Sequence, residues 1–269
     1  MNIAPRKKEK KENTELIIRT ISSFAIVALI VSSVLAGQLY FQIFMSVICA
    51  GIVYEWLSVT NVTRPLVLAI CVAMVMYFTN NEYYFRGIVI LACTFALMLR
   101  KQKMNLTLEI VLLGLIYICI SICVLVKIYA KFGFIFVLWI FLCVWATDTG
   151  AFFIGKIIGG KKLAPKISPG KTWAGFYGGL LVAELVCTCA GIFLVRTEHL
   201  YKIILLTLIM SVFAHIGDLV ESLAKRYLQV KDMGQLIPGH GGFADRFDSL
   251  LMVSLVLSFF LYNFKAVHF

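Results

Sequence analysis

The sequence predicts an all-α polytopic membrane protein, and composition and apolar runs together carry that prediction. Hydrophobic residues make up 61% of the 269 residues and charged residues only 14%, at a mean hydropathy of +0.93. That leaves too little polar surface to cover a water-soluble globule. The apolar runs are continuous, whereas the strands of an outer-membrane barrel alternate over about ten residues, so helices are the predicted spans.

About nine runs are long enough to be membrane helices, because roughly 20 helical residues cross a hydrocarbon core of about 30 Å. The predicted spans are 18–36, 39–58, 65–79, 84–99, 106–126, 132–154, 174–195, 201–219 and 249–264. The third and fourth runs are the shortest. All the cysteines fall inside these spans, without His or Cys partners at metal-ligand spacing, and act there as small apolar residues.

The chain shows no internal repeat and no soluble domain, so it divides only by position along one membrane domain. A basic cytoplasmic segment, 1–17, precedes amino-terminal transmembrane helices, 18–147. A carboxy-terminal transmembrane region, 148–269, holds two polar loops, 155–173 and 220–248. We expect the chemistry in this last region.

The distribution of basic residues predicts the orientation, because cytoplasmic loops hold the excess of Lys and Arg. With the amino terminus in the cytoplasm, 19 of the 25 basic residues fall on the inner side and six on the outer side. The chain is therefore predicted to be a multi-pass protein of the cytoplasmic (inner) cell membrane, with both polar loops at its cytoplasmic face. The net charge of +11 follows that face and forms no stripe on a soluble domain, which favours the lipid bilayer and phosphate ligands over nucleic acid.

A polar block at 217–249 contains four of the five aspartates of the chain, and charge beside apolar spans is costly enough to mark function. Helical spacing places its first polar residues on one face. These residues are Asp218, Glu221, Ser222 and Lys225. Folding the eighth and ninth helices side by side is expected to bring Asp218 opposite Asp245.

The rest of the block is a loop rich in glycine and charge, followed by acidic residues at the start of the ninth helix. Its members are Arg226, Lys231, Asp232, His240, Gly241, Gly242, Asp245, Arg246 and Asp248. Helix capping and i to i+4 pairing can each explain a single residue, but not the whole set on one membrane face. Carboxylates beside Lys and Arg are hard ligands suited to Mg²⁺ or a similar cation that also holds phosphate oxygens, so the block predicts phosphoryl or nucleotidyl transfer.

The second polar loop follows Asp148, which is expected to face a polar cavity because lipid would make its charge expensive. Ser168, Lys171 and Thr172 precede an abruptly apolar helix, an arrangement that suits phosphate binding. A plainer interpretation of the loop's lysines is positive-inside charge. A P-loop is excluded because Pro165 stands where the Walker pattern needs glycine.

Two motifs resemble those of the phosphatidate cytidylyltransferases, also called CDP-diacylglycerol synthases. The first comprises Ser222, Lys225-Arg226, Lys231-Asp232, Gly234, Pro238 and the run from His240 to Asp248, and the second is Ser168-Pro169-Gly170-Lys171-Thr172-Trp173. The resemblance is strong over about 140–250 and rests on hydropathy elsewhere. Ala174 stands where the family pattern has Glu, and Ala224 replaces a larger apolar residue.

The resemblance implies that phosphatidic acid attacks the α-phosphorus of CTP, giving CDP-diacylglycerol and pyrophosphate. It implies that Asp218 and Asp245 bind Mg²⁺, with Asp248 in support and a second cation, divalent or K⁺, as an option. Binding of the substrate phosphates is assigned to Lys225, Arg226, Lys231 and Arg246. Binding of the CTP triphosphate or of the lipid headgroup is assigned to Ser168, Lys171 and Thr172. Asp232 and His240 are further candidate catalytic residues, and for His240 a contact with the substrate is favoured over proton transfer. The substrate-binding site is assigned to Asp148, Ser222, Gly241 and Gly242. A homodimer is implied as well.

Two alternatives share many of these features. A polytopic carrier for a nucleotide or phosphate compound would also use intramembrane carboxylates and basic loops, although carriers place them near the midplane and often show repeats. A CTP-dependent transferase acting on another lipid acceptor would share nearly all of the chemistry and would differ only in the acceptor.

Overall fold

Helices dominate the fold. The computed structural model describes residues 4–60, 62, 64–80, 106–194, 200–238 and 241–263. Its elements are α1 (Ala4–Ala36), α2 (Gln38–Val59), α3 (Pro65–Asn80), α4 (Leu106–Ile158), β1 (Lys162–Ala164), β2 (Ser168–Thr172), α5 (Trp173–Leu194), α6 (Leu200–Tyr227) and α7 (Ala244–Asn263). The prediction of a helical protein is confirmed, and the antiparallel pair β1–β2 is an addition that an all-α prediction did not contain.

Four of the described helices are long and apolar enough to cross a membrane, as expected of a membrane protein. They are Gln38–Val59, Glu109–Ile158, Trp173–Phe193 and Leu200–Tyr227. The predicted span 84–99 lies outside the described residues, and the described parts of the other predicted spans fall within helices, two of them within α4. The basic segment predicted at 1–17 has no structural boundary at its end, because α1 runs unbroken from Ala4 into the first predicted span.

The longest helix, α4, is interrupted once. Its apolar stretch of 50 residues would measure roughly 75 Å at 1.5 Å per residue, more than twice the thickness of a bilayer core. Gly133 adopts φ 80° and ψ 179°, a left-handed backbone conformation that glycine enters at little cost. The break lies close to the boundary between the predicted spans 106–126 and 132–154.

Two aromatic side chains buried between the helices bond to backbone carbonyls, which satisfies their polar atoms away from water. The indole N–H of Trp56 donates to the carbonyl of Val111 at 3.2 Å, and the hydroxyl of Tyr129 donates to the carbonyl of Val34 at 2.8 Å. On the outer faces large apolar side chains stay exposed, for example Phe24 and Phe193 at 72% and 78%. Such surfaces suit contact with lipid chains.

Glycines let α4 and α5 pack closely beside the polar loops. A Cβ at Gly155 would lie 3.1 Å from Oγ1 of Thr172 and 3.2 Å from Cα of Gly175. A Cβ at Gly178 would overlap the side chain of Ile154. Small residues bring helix backbones together in membranes, and here they hold the end of α4 against the start of α5.

Both polar loops are shorter than predicted, because the flanking helices extend into them. The described backbone leaves 159–172 between α4 and α5, and 228–243 between α6 and α7. Lys225 and Arg226 lie in the last turn of α6, where positive charge complements the carbonyl end of the helix dipole. The segment 228–243 is called the catalytic-motif loop below.

Candidate active site

A cavity of about 1150 Å³ opens between α1, the β1–β2 hairpin and the facing ends of α4 to α7. It is lined by all five aspartates of the chain and by five basic residues. The aspartates are Asp148, Asp218, Asp232, Asp245 and Asp248, and the basic residues are Lys156, Lys162, Lys171, Lys225 and Arg246. Opposite charges thus line one chamber in a chain that is otherwise apolar.

An ion pair joins the two polar segments of the sequence at Asp218. Lys171, near the end of β2, places Nζ 2.7 Å from Oδ2 of Asp218 on α6. One turn further along α6, the hydroxyl of Ser222 donates to Oδ1 at 3.4 Å. The side chain of Asp218 is still 35% exposed, so its carboxylate faces the chamber.

The carboxylate of Asp245, only 6% exposed, organises the catalytic-motif loop. Its Oδ2 accepts hydrogen bonds from the backbone N–H groups of Met233 at 3.1 Å and Gly242 at 3.0 Å. Its Oδ1 pairs with Nζ of Lys225 at 2.8 Å. Because these amides come from the two limbs of the loop, one side chain fixes how the loop folds.

Lys225 also faces Glu221, one turn earlier on α6, with Nζ 3.4 Å from Oε2. Both oxygens of Glu221 are buried, and its carboxyl group also interacts with that of Asp248 on α7. Asp218 lies close enough to Asp248 for their charges to interact. One ammonium group is therefore set among several carboxylates.

The alignment of α6 with α7 differs from the expected one. A Cβ at Gly217 would lie 2.7 Å from the carbonyl oxygen of Asp248 and 3.1 Å from Cα of Ser249. This contact sets Asp248 at the level of Asp218, whereas the expected partner was Asp245, about one helical turn away. The physical reason is the glycine, whose missing side chain decides where the two helices touch.

The hairpin carries the second motif to the chamber and caps the next helix. Oγ1 of Thr172 accepts a hydrogen bond from the N–H of Gly175 at 3.0 Å, the bond that a helix N-cap makes. Nε of Arg226 donates to the carbonyl of Ile167 at 3.1 Å and so ties the end of α6 to the hairpin. Thr172 therefore supports the position of Lys171 and satisfies a donor of α5.

Asp148 opens onto the chamber, as expected of a charge too costly for lipid. His215 lies deeper, only 4% exposed, with its ring 4.9 Å from that of Phe176. It also lines the chamber, and a Cβ at Gly179 would lie 2.7 Å from its Nε2. The histidine, which belongs to α6, therefore packs against α5.

Comparison with known proteins gives the family. The sequence profile of the cytidylyltransferase family matches residues 17–264. The chain belongs to the cytidylyltransferase family. This confirms the resemblance seen in the two motifs.

Curated members of the family are similar to part of the chain. Proteins named phosphatidate cytidylyltransferase from Bacillus subtilis and Staphylococcus aureus are 43% identical over 135 residues and 46% identical over 129 residues. A protein of the same name from Staphylococcus epidermidis is 45% identical over 129 residues. These matches cover 48–50% of this chain and 50% of each relative, so the chain spans about half the length of the curated relatives it matches.

The structure brings most of the predicted site residues together. Those that line the chamber are Asp148, Lys171, Thr172, Asp218, Lys225, Asp232, Asp245, Arg246 and Asp248. Predicted residues that are described but do not line it are Ser168, Ser222, Arg226, Lys231, Gly241 and Gly242. His240 lies outside the described residues.

The predicted residues that do not line the chamber differ in their surroundings. Ser222 and Gly242 bond to the carboxylates of Asp218 and Asp245. Gly241 has φ +86°, which favours glycine. Lys231 is exposed on the catalytic-motif loop. Ser222 and Gly242 therefore contribute by holding carboxylates of the chamber in place.

Two acidic residues of the site were not assigned from the sequence. Glu221 was placed on the correct helix face but given no role, although its side chain is only 10% exposed. Glu55 of α2 is 2% exposed and accepts a hydrogen bond from the N–H of Ala244 at 3.0 Å. The signal for Glu55 was present, because a charge inside an apolar span is costly and tends to mark function.

The donor set fits a hard cation. Within the described residues no three Asp, Glu, His or Cys side chains form a ready metal cluster. Mg²⁺, however, is usually held by one or two carboxylates and completed by water and substrate phosphates. The carboxylates of Asp218 and Asp245 are paired with lysine ammonium groups, and the buried carboxylate of Glu221 faces the same lysine as Asp245. Positive charge therefore already collects where such an ion would bind.

Proposed function

We propose that the chain is a phosphatidate cytidylyltransferase, which joins CTP and phosphatidic acid to give CDP-diacylglycerol and pyrophosphate. The observation that carries the proposal is the chamber, in which five carboxylates and five cationic side chains meet at the ends of apolar helices. Family membership and the names of the similar proteins support the same reaction.

The basic residues supply the main chemical work. Both substrates are anions, so bringing them together requires cationic side chains in a fixed arrangement. Lys171, Lys225 and Arg246 are the candidates for the phosphates, since all three line the chamber. A phosphate nucleophile is already ionised near neutral pH, so none of these residues has to act as a strong base.

We assign Asp218 and Asp245 as the carboxylates that would hold Mg²⁺, with Asp248 and Glu221 adding negative charge beside them. When bound, the cation supplies charge neutralisation to the triphosphate and to the pyrophosphate leaving group. Lys171 and Lys225 now pair with Asp218 and Asp245, and phosphate oxygens offer the same ammonium groups an equivalent partner. Asp245 keeps its two backbone bonds in either case, so it would hold its place.

One wall of the chamber suits a lipid substrate. Ile26, Val27 and Ile30 of α1 line it together with Phe152 of α4. Phe152 is 62% exposed and Val27 is 37% exposed, so apolar surface continues from the polar chamber towards the outer faces of the helices. A phosphatidic acid could place its phosphate among the lysines and its acyl chains along this wall.

The distribution of basic residues supports a membrane topology for the chain. We assign about nine spans, a cytoplasmic amino terminus and both polar loops to the inner face of the cell membrane, on the excess of basic residues there. CTP would then enter from the cytoplasm. A homodimer is part of the proposal through the family resemblance alone.

The deciding experiment uses the purified full chain in detergent with CTP, phosphatidic acid and Mg²⁺, and measures CDP-diacylglycerol and pyrophosphate. We expect equal amounts of both products, and none without Mg²⁺. If no product forms but vesicles containing the protein accumulate nucleotide or phosphate, the carrier alternative replaces the transferase. If a different lipid phosphate, such as a polyprenyl phosphate, is the better acceptor, the reaction type stands and the lipid substrate is wrong.

Replacing Lys171 by Ala is expected to lower kcat/KM by roughly 100-fold, because it removes one fixed cation from the reacting phosphates. Lys166→Ala is the matched control, since Lys166 is exposed on the turn of the same hairpin and does not line the chamber. Steady-state rates at varied CTP measure the effect. Equal rates for the two variants would remove Lys171 from the mechanism.

A further inference from the structure

Glu55 lies outside the chamber lining and yet contacts the catalytic-motif loop. It belongs to α2, and its side chain is buried at 2% exposure. Oε2 accepts a hydrogen bond from the N–H of Ala244 at 3.0 Å. Ala244 is the first residue of α7, the helix that carries Asp245 and Asp248 into the chamber. A carboxylate from a distant part of the chain therefore caps the helix that presents the site.

The start of α7 needs such a partner. The first N–H groups of a helix have no carbonyl partner within it, and a capping side chain normally supplies one. Phe243, at the N-cap position, has no polar side chain, although its carbonyl accepts from Arg246 and Phe247 at 3.1 Å each. The negative charge of Glu55 also suits the positive end of the helix dipole. Glu55 of α2 thus supplies the side-chain hydrogen-bond acceptor that Phe243 lacks.

Two glycines of the loop leave the space that this carboxyl group occupies. A Cβ at Gly242 would lie 2.7 Å from Cδ of Glu55, and a Cβ at Gly234 would overlap the same carboxyl group. Neither glycine has a positive φ, so backbone conformation does not require glycine at either position. Glycine fits there because the carboxyl group of Glu55 occupies the space that a side chain would fill.

The contacts of Glu55 and Asp245 converge on the same two limbs of the loop. Asp245 binds the N–H groups of Met233 and Gly242, while Glu55 packs against Gly234 and Gly242 and bonds to the residue before Asp245. Gly51, one turn before Glu55 on α2, packs against the ring of Phe243 in the same way. The loop is therefore held between a carboxylate of the chamber and a buried carboxylate of α2.

We propose that Glu55 is a positioning residue for cytidylyl transfer: by binding the start of α7 and both limbs of the loop, it sets the place of Asp245 in the chamber. The inference rests on the proposed function for its kinetic consequence. It extends the site to α2, which supplies no other acidic residue to it.

The first test compares Glu55→Ala with Glu55→Gln in the full-length protein. Glu55→Ala is expected to lower kcat by roughly 10- to 100-fold, the usual effect of losing an outer-shell partner, with the KM for CTP nearly unchanged. Glu55→Gln is expected to recover most of kcat, because its amide oxygen can still accept from Ala244. Glu184→Gln is the control, since Glu184 is another acidic residue in a membrane helix, α5, but its hydrogen-bond partner is Thr188 of the same helix. Wild-type kcat in Glu55→Ala would overturn the proposal.

The second test uses the fit between Glu55 and Gly234. Gly234→Ala alone is expected to lower kcat because its methyl group meets the carboxyl group. In the double variant Glu55→Ala/Gly234→Ala the methyl group has room, so Gly234→Ala should cost much less there than in the wild type. Independent, additive losses would mean that the residues do not act through each other and would overturn the proposal. If Glu55→Ala folds poorly, Gly234→Ala alone still decides the matter, because it keeps Glu55 and disturbs the same contact: wild-type kcat in Gly234→Ala would overturn the proposal.

A third readout does not depend on the reaction. Hydrogen–deuterium exchange of the amides of Met233 and Gly242 is expected to speed up in Glu55→Ala and in Gly234→Ala, and to stay at the wild-type rate in Glu184→Gln. Unchanged exchange in the first two variants would overturn the positioning role. If the protein had no transferase activity but exchange responded as expected, the proposed function would fail while the role of Glu55 in holding the loop stood.

Discussion

Asp245→Asn is expected to reduce cytidylyl transfer by roughly 1,000-fold, the upper range for loss of one pre-organised electrostatic group. The neutral amide can still offer its oxygen to the N–H groups of Met233 and Gly242. Its NH₂ group then faces Lys225, but Lys225 keeps Glu221 as a counter-charge, so we expect the loop to keep its fold. What disappears is the negative charge that faces Lys225 and that we propose as a ligand of Mg²⁺. The loss should therefore fall on kcat more than on folding.

The control for Asp245→Asn is Glu109→Gln, which also neutralises one carboxylate but lies in the exposed first turn of α4, away from the chamber. Initial rates at several Mg²⁺ concentrations measure the effect, and thermal unfolding in detergent checks the fold. A variant that folds normally and turns over at the wild-type rate would leave the reaction in place but remove Asp245 from the mechanism. A variant that unfolds would assign Asp245 to structure instead.

Most of the secondary structure could be predicted from the sequence, because apolar runs of helical length are a long and redundant signal. Asp148 and the polar block could be assigned to a cavity for a similar reason, since charge beside lipid is too costly to be accidental. The loop boundaries were set too wide because Lys225 and Arg226 were grouped with the loop, whereas their charge favours the last turn of α6.

The pairing of residues across helices could not be predicted in the same way. The level at which α6 meets α7 depends on the contact of Gly217 with the backbone of Asp248, and no periodicity in either helix encodes it. Glu55 stood out as a charge inside an apolar span, but its contact could not be predicted, for a related reason. Its partner, the N–H of Ala244, is a backbone group, so no sequence motif marks that contact.

Lys225 is the second residue whose loss should be severe, for reasons of charge balance. Its ammonium group lies 2.8 Å from Asp245 and 3.4 Å from Glu221, and the three side chains are 15%, 6% and 10% exposed. Removing the cation leaves buried carboxylates facing each other, which typically costs about 3 kcal/mol or more. Lys225→Met should therefore both lower the unfolding temperature in detergent and reduce turnover by roughly 100-fold or more.

A second substitution separates these two effects of Lys225→Met. Adding Glu221→Gln removes one of the carboxylates left without a partner, so Lys225→Met/Glu221→Gln should regain much of the lost thermal stability. Turnover should stay low, because the cation that we assign to the phosphates is still absent. If activity returned together with stability, Lys225 would be only a structural counter-charge for Glu221 and Asp245. If neither returned, repulsion between these carboxylates would not be the cause of the instability, and the charge balance inferred for the chamber would be wrong.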